Sequence, residues 1–184
     1  GTSWDNPFTT IGAAITAAAP GDEIWIADGV YVENLVVAKN NLTFLGGFEG
    51  QGGAEETLAS QANPLRNFSI VQALLTGSPI PEGKAVSITA ANSTFDGLVF
   101  TGGNTISDQG AGADYNPALN GTHVVRRCIY LNNNAGGGGG GLFVDDTTTT
   151  ITIDGSFFIN NFGLSSTGSG NGDGAGMRFD GPNV

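Results

Sequence analysis

Phe95-Asp96-Gly97-Leu98-Val99-Phe100-Thr101-Gly102-Gly103-Asn104 recurs as Val125-Arg126-Arg127-Cys128-Ile129-Tyr130-Leu131-Asn132-Asn133-Asn134 and again as Ile153-Asp154-Gly155-Ser156-Phe157-Phe158-Ile159-Asn160-Asn161-Phe162. Aromatic residues then coincide at Phe100, Tyr130 and Phe158, thirty and twenty-eight positions apart. Fixed periods of this size mark solenoids or propellers. A second motif recurs, Gly139 to Asp146 against Asp173 to Asp180, and matching Gly141 to Gly176 sets its spacing at thirty-five; the periods differ because the loops between strands differ in length.

A repeat whose strands cannot bury their apolar face alone is stable only when its neighbours stack on it. The pattern therefore predicts rungs that place equivalent aromatics one above another at about the 4.8 Å strand spacing, with Phe100, Tyr130 and Phe158 forming an interior ladder. An Asn at a turn can bond both to backbone and to its counterpart on the next rung. Asn133 and Asn161 hold such a position, and Gly103 fills it in the first copy. The Gly-rich runs supply corner conformations with positive φ.

Working outward to the N-terminal side, Ile11, Ala14, Ile15 and Ala18 fall at helical spacing, with Thr9 or Thr10 able to cap and Pro20-Gly21 as a stop. Such a short amphipathic helix must lie on an apolar surface to persist. Period-two runs follow at Ile24 and Ile26, Val30 and Val32, Leu35 and Val37, and Leu42 and Phe44, with turns at Asp28-Gly29, Glu33-Asn34 and Lys39-Asn40-Asn41. Gly46 to Lys84, with Gly52-Gly53, Pro64, Pro79 and Pro81, reads as one rung interrupted by a long surface loop, its strand within Phe68 to Leu75. Long loops are where a solenoid places recognition, and specificity is expected here.

The ordered string from Ala19-Pro20-Gly21-Asp22 through Gly29-Val30-Tyr31-Val32-Glu33-Asn34-Leu35 resembles the opening of right-handed parallel β-helix proteins of the pectin-lyase-like superfamily. In that family the Pro-Gly-Asp turn follows a capping helix, and the Gly-x-Tyr-x-Glu-Asn turn leads into the first full rung. The aromatic-x-x-Asn motifs at Tyr130 to Asn133 and Phe158 to Asn161, with Gly-Gly-x-hydrophobic near Gly140 to Phe143, resemble repeats of bacterial polymorphic outer-membrane proteins and related surface adhesins. The resemblance implies an all-β fold, a right-handed single-stranded parallel β-helix (solenoid) with a short N-terminal capping α-helix. It also implies an extracellular, often adhesive role. The expected organisation is a single domain over 1–184, with a cap at 1–22, a first rung at 23–47, an irregular rung with a long loop at 48–84, and repeat rungs at 85–184 that continue past 184.

Seventeen Asp and Glu against six Lys and Arg give a net charge of −11, which repels a polyanionic nucleic acid. Scattered carboxylates serve to keep a Gly-rich solenoid soluble, so no metal or other cofactor is expected. The single Cys128 excludes an intramolecular disulfide, and no apolar run is long enough to span a bilayer as a helix. The opening Gly1-Thr2-Ser3 reads as that of a processed or excised segment, and the last residues, Asp180 to Val184, carry no cap, so further rungs or head-to-tail self-association through that end are expected to cover the edge.

Within the repeats, Asp96, Arg126 and Asp154 share one position. A carboxylate pair could act on a glycosidic bond, but the simpler expectation is an exposed ladder in which Arg126 bridges two like charges. Asp145, Asp146, Asp173 and Asp180 are the remaining candidate carboxylates, and Arg127 and Arg178 the remaining candidate bases. His123, the only histidine, sits where a strand starts and not in a catalytic loop. Cys128 aligns with Leu98 and Ser156 at an inward position, a small core residue and not a nucleophile. Thr147 to Thr150 is a single solvent-facing row, too little for a flat ice-binding array. No catalytic, cofactor-binding or metal-ligating residue is therefore assigned. The expected function is a noncatalytic extracellular or cell-surface scaffold or adhesin segment that contacts polysaccharide or another surface ligand. The alternatives are a polysaccharide-active lyase or glycoside hydrolase and a subunit of an extracellular filament.

Overall fold

The computed structural model describes residues 1, 3–51, 56–116, 121–145, 149–164 and 174–180. One short helix, α1 (Ile11–Ala17), precedes five turns of parallel strand. The first turn is β1 (Glu23–Ala27), β2 (Gly29–Val32) and β3 (Leu35–Val37). The second is β4 (Thr43–Phe48), β5 (Ser69–Gln72) and β6 (Val86–Ile88). The third is β7 (Thr94–Asp96), β8 (Leu98–Thr101), β9 (Asn104–Thr105) and β10 (Ala113–Tyr115). The fourth is β11 (Thr122–Arg126), β12 (Ile129–Leu131), β13 (Asn134–Ala135) and β14 (Leu142–Val144). The fifth is β15 (Thr150–Asp154), β16 (Phe157–Ile159), β17 (Phe162–Gly163) and β18 (Met177–Phe179).

Each turn contributes one strand to each of three five-stranded sheets, ordered β1-β4-β7-β11-β15, β2-β5-β8-β12-β16 and β3-β6-β10-β14-β18. The last three turns add a short fourth sheet, β9-β13-β17, at one corner. Among the described residues every pairing between these strands is parallel, beside two isolated antiparallel bridges, Thr76 with Glu82 and Gly83 with Asn104. The chain is thus a parallel β-helix, in which a strand pairs with strands one coil before and after it.

The core runs up the middle of the coil. Phe100, Tyr130 and Phe158 are register partners, and their rings stack at 5.2 Å and 22° and then at 4.8 Å and 2°. This is the ladder that the repeat alignment predicts. A second stack forms on the first sheet, Phe44 over Phe95 at 4.7 Å and 11°. The Asn position behaves as expected too. Asn133 donates through Nδ2 to Phe100 O and to Asn161 Oδ1, and its Oδ1 accepts from Gly103 N at 2.9 Å. Glycine stands at 103 for a steric reason: a Cβ there would meet the carbonyl oxygen of Ala111 at 1.9 Å.

The helix is held at both ends by the coil it covers. The Glu33 carboxylate accepts from the N–H groups of Ile11 and Gly12, and Thr10 Oγ1 accepts from Ala13 N. At the other end Lys39 Nζ donates to Thr16 O and Ala18 O. A negative charge at the N-terminus and a positive one at the C-terminus both oppose the helix dipole, and Ile11 and Ile15 are buried against the first turn. Glu33→Ala should therefore lower stability by about 1–2 kcal/mol. Chemical denaturation against an exposed control such as Thr16→Ala is the check, and an effect no larger than the control's would contradict the capping role.

The strand expected within Phe68 to Leu75 is β5, which completes the second sheet of that turn. The structure differs from the sequence reading in having two excursions there, 49–68 and 73–85, on either side of β5. Val30 and Val32 point out of the coil, and Tyr31 between them points in, stacked in register on Val71.

Candidate functional site

The outer face of the first sheet carries two columns. One runs Glu23, Thr43, Thr94, Val124 and Thr152, and the other Trp25, Leu45, Asp96, Arg126 and Asp154. Over its first turns lies the arm that follows β4, including a single 3-10 turn at Ala59–Gln61. A cleft of about 440 Å³ opens between arm and sheet, floored by Glu23, Thr43, Leu45, Thr94, Asp96 and Arg126, with Ala59, Ser60 and Ala62 on the arm side and Arg127 at its edge.

The arm is held by polar bonds within itself and to the coil. The Glu56 carboxylate, itself buried, accepts from Glu49 N and Gly50 N, while Trp4 Nε1 donates to Glu56 O. Asn63 N donates to Gly47 O at 2.6 Å. Gln61 Oε1 accepts from Thr57 N and Leu58 N. Trp25 stacks on Phe48 at 4.7 Å and 7°, and its Nε1 donates to Glu23 Oε2.

Asp96 is 5% exposed and is gripped by two guanidinium groups, Arg127 Nε at 2.7 Å and Arg126 at 3.2 Å. Sequence alignment places Arg126 as a bridge between Asp96 and Asp154 in an exposed ladder. The register is as expected, Asp96 beside Arg126 beside Asp154, but Arg126 turns to Asp96, and the second partner is Arg127. Position 127 lies in a turn where the coils on either side have Gly97 (φ 76°) and Gly155 (φ 53°). Arg127 adopts φ 50° in the same place. A non-glycine residue there costs roughly 1–2 kcal/mol. The strain places a cation where the fold alone would prefer glycine.

The remaining candidates are dispersed. His123 lies inside the coil, where Nδ1 meets Ser93 Oγ at 2.7 Å and burial lowers its pKa. Its Nε2 meets no partner among the described residues, and its ring lies edge-on to Tyr115 at 5.1 Å. A Ser–His pair enclosed in the core cannot meet a substrate. Cys128 is buried and its thiol is pushed up to about 12 by burial, so it stays protonated at neutral pH. Arg178 and Asp180 form a two-pronged pair at 2.7 Å, and the Arg178 guanidinium also lies 5.6 Å from the Phe143 ring centroid. Asp145 is exposed. Asp146, Asp173, Thr147 and Thr148 lie outside the described residues.

One charged cluster has no counterpart in the sequence reading. Lys84 Nζ sits 2.7 Å from Asp108 and also bonds Asp114, which faces out of the third sheet. Burial pulls its pKa down, but the two carboxylates more than offset this and hold it above the usual lysine value. No repeat motif announces the cluster, because its members come from two unlike loops and one strand. Among the described residues no group of three or more His, Cys, Asp or Glu is placed to hold a metal ion, and no helix is long and apolar enough to cross a membrane.

No family model matches the chain, and no curated protein or solved structure is significantly similar to it.

Proposed function

We propose that this chain is a right-handed, pectin-lyase-like β-helix segment that works outside the cell as a noncatalytic surface scaffold or adhesin, binding a saccharide ligand in the cleft under the arm. The observation that carries this reading is Arg127 in a strained, left-handed backbone conformation at a glycine position, beside a cleft of ligand size. Strain persists at sites that use it. Of six basic residues in a chain of net charge −11, two point into one cleft.

The cleft suits binding better than bond cleavage. Glycoside hydrolysis needs two carboxyl groups flanking one bond. Asp96 has a guanidinium on each oxygen, which makes it the group that aligns the two arginines. Arg126 and Arg127 remain about half exposed, with side-chain exposures of 49% and 54%. Their outer N–H groups, with the Thr43, Ser60 and Thr94 hydroxyls, form the hydrogen-bonding surface that a sugar needs.

The test is binding of soluble acidic and neutral polysaccharides by the purified chain and by Arg127→Gly. Glycine relieves the strain, so the variant should be as stable as the parent or more so. Its affinity should nevertheless fall at least about tenfold, the loss expected for a charge-assisted hydrogen bond. Release of shortened or unsaturated product, abolished by Asp96→Ala or Asp154→Ala, would replace this reading with the enzyme one. Affinity unchanged in Arg127→Gly would remove the cleft from the account.

A further inference from the structure

The chain has two lysines, and one of them, Lys39, is committed to the carbonyls at the end of the helix. The other, Lys84, ends the excursion that leads into β6 and lies between two carboxylates of the third turn. It bonds Asp114, on β10, and sits 2.7 Å from Asp108 in the loop before β10. The backbones that carry these groups are fixed to one another. Gly83 pairs with Asn104, Ala85 N donates to Ala111 O, and Ser87 is the register partner of Asp114. Asp108 is held as well, because Gln109 N donates to its Oδ1 at 2.9 Å while its Oδ2 faces Lys84. Little water reaches the pair: the Lys84 and Asp114 side chains are 16% and 14% exposed, and Asp114 is flanked in its sheet by Ser87 and by the buried Phe143. Glycine at 110 lets the loop close over Asp114, where a Cβ would meet the Asp114 Cβ at 2.9 Å. An ion pair enclosed in this way carries a desolvation cost that a neutral link between the same groups does not.

We infer that Lys84 and Asp114 condense to an isopeptide bond that ties the second turn covalently to the third, with Asp108 as the proton relay. A nitrogen hydrogen-bonded to a carboxylate lies within about 3.5 Å of its carboxyl carbon, a near-attack distance, and a pair fixed there reacts at an effective molarity of about 10⁵–10⁸ M. That advantage drives a condensation that separate groups in water do not undergo. The step balances without a co-reactant. Lys84 starts as an ammonium; one of its three protons stays on the amide nitrogen, and two leave with one Asp114 oxygen as water. The N–C bond forms as that C–O bond breaks. Asp108 takes a proton from the nitrogen and hands it to the departing hydroxyl. Burial holds the Asp114 carboxyl above the usual carboxylate range, which favours the protonated form that loses hydroxide as water. Burial pushes Asp108 up too, but hydrogen bonds from Lys84 and the Gln109 N–H more than offset this and hold it below that range, ionised as a relay base must be. With one cysteine the chain cannot tie its own coils by a disulfide, and this bond takes that place.

Intact mass spectrometry of the purified chain should give a mass one water below that of the sequence. Trypsin should fail to cut after Lys84 and should release residues 67–126 as one peptide, closed between 84 and 114 and lighter by one water. Lys84→Arg keeps the cation but forms no such bond. It should have its full mass, yield separate peptides 67–84 and 85–126, and melt at a lower temperature, as loss of a cross-link requires. Asp108→Asn should slow the condensation at least about a hundredfold. A chain of full mass that trypsin cuts after Lys84 would overturn the inference, as would a missing water that persists in Lys84→Arg and so belongs to another residue. Condensation at an equal rate in Asp108→Asn would overturn the relay.

Discussion

Truncation of Tyr130 to alanine is expected to destabilise the chain by about 3–5 kcal/mol, the range for emptying a buried aromatic site. The side chain is fully buried and lies between Phe100 and Phe158, stacked on both. Its strand is hydrogen-bonded to the coils on either side, which fixes the distance between the rings above and below. The cavity therefore cannot close by collapse, and the cost falls toward the upper end. The hydroxyl lies buried beside that of Tyr115 and meets no other polar group among the described residues. Tyr130→Phe should accordingly change stability by less than about 1 kcal/mol. Urea unfolding of both variants separates ring from hydroxyl. A Tyr130→Ala loss below about 1 kcal/mol would mean that the ring is not in the core.

Asn133→Ala should cost about 2–4 kcal/mol, more than a polar truncation at the surface. The residue is 1% exposed. Its side chain satisfies the N–H of Gly103 and the carbonyl of Phe100, and it bonds the amide of Asn161 one coil on. Removing it strands the buried Gly103 N–H and takes one partner from the Phe100 carbonyl, and each such buried group costs about 1–3 kcal/mol. Asn134 next to it is exposed, and among the described residues its side chain donates to Asn104 at 3.0 Å. Asn134→Ala should cost less than about 0.5 kcal/mol. Equal effects at 133 and 134 would contradict an interior Asn ladder.

What the sequence reveals here follows from what periodicity encodes. Repeats about thirty residues apart identify which side chains lie over one another, and so Phe100, Tyr130 and Phe158, the inward Cys128, and the pairing of Asn133 with Asn161 are readable before any coordinates. Periodicity says less about which face of a strand is inward when every residue is apolar. Val30 and Val32 suggest a core that Tyr31 in fact occupies. The Asp96 clamp is half visible. Register puts Arg126 between Asp96 and Asp154, but the contact from Arg127 depends on a backbone angle that residue identity opposes. The arm over the cleft is legible as an irregular insertion, whereas the Glu56 bonds that seat it depend on tertiary geometry.

The most direct test is nuclear Overhauser spectroscopy on protein labelled at Phe and Tyr. Stacked coils predict ring-to-ring contacts from Tyr130 to both Phe100 and Phe158 and from Phe44 to Phe95. No contact is expected between Phe100 and Phe158, which lie two strand spacings, about 10 Å, apart. Contacts that leave Tyr130 beside neither ring would contradict the stacked coil and, with it, the cleft built on it.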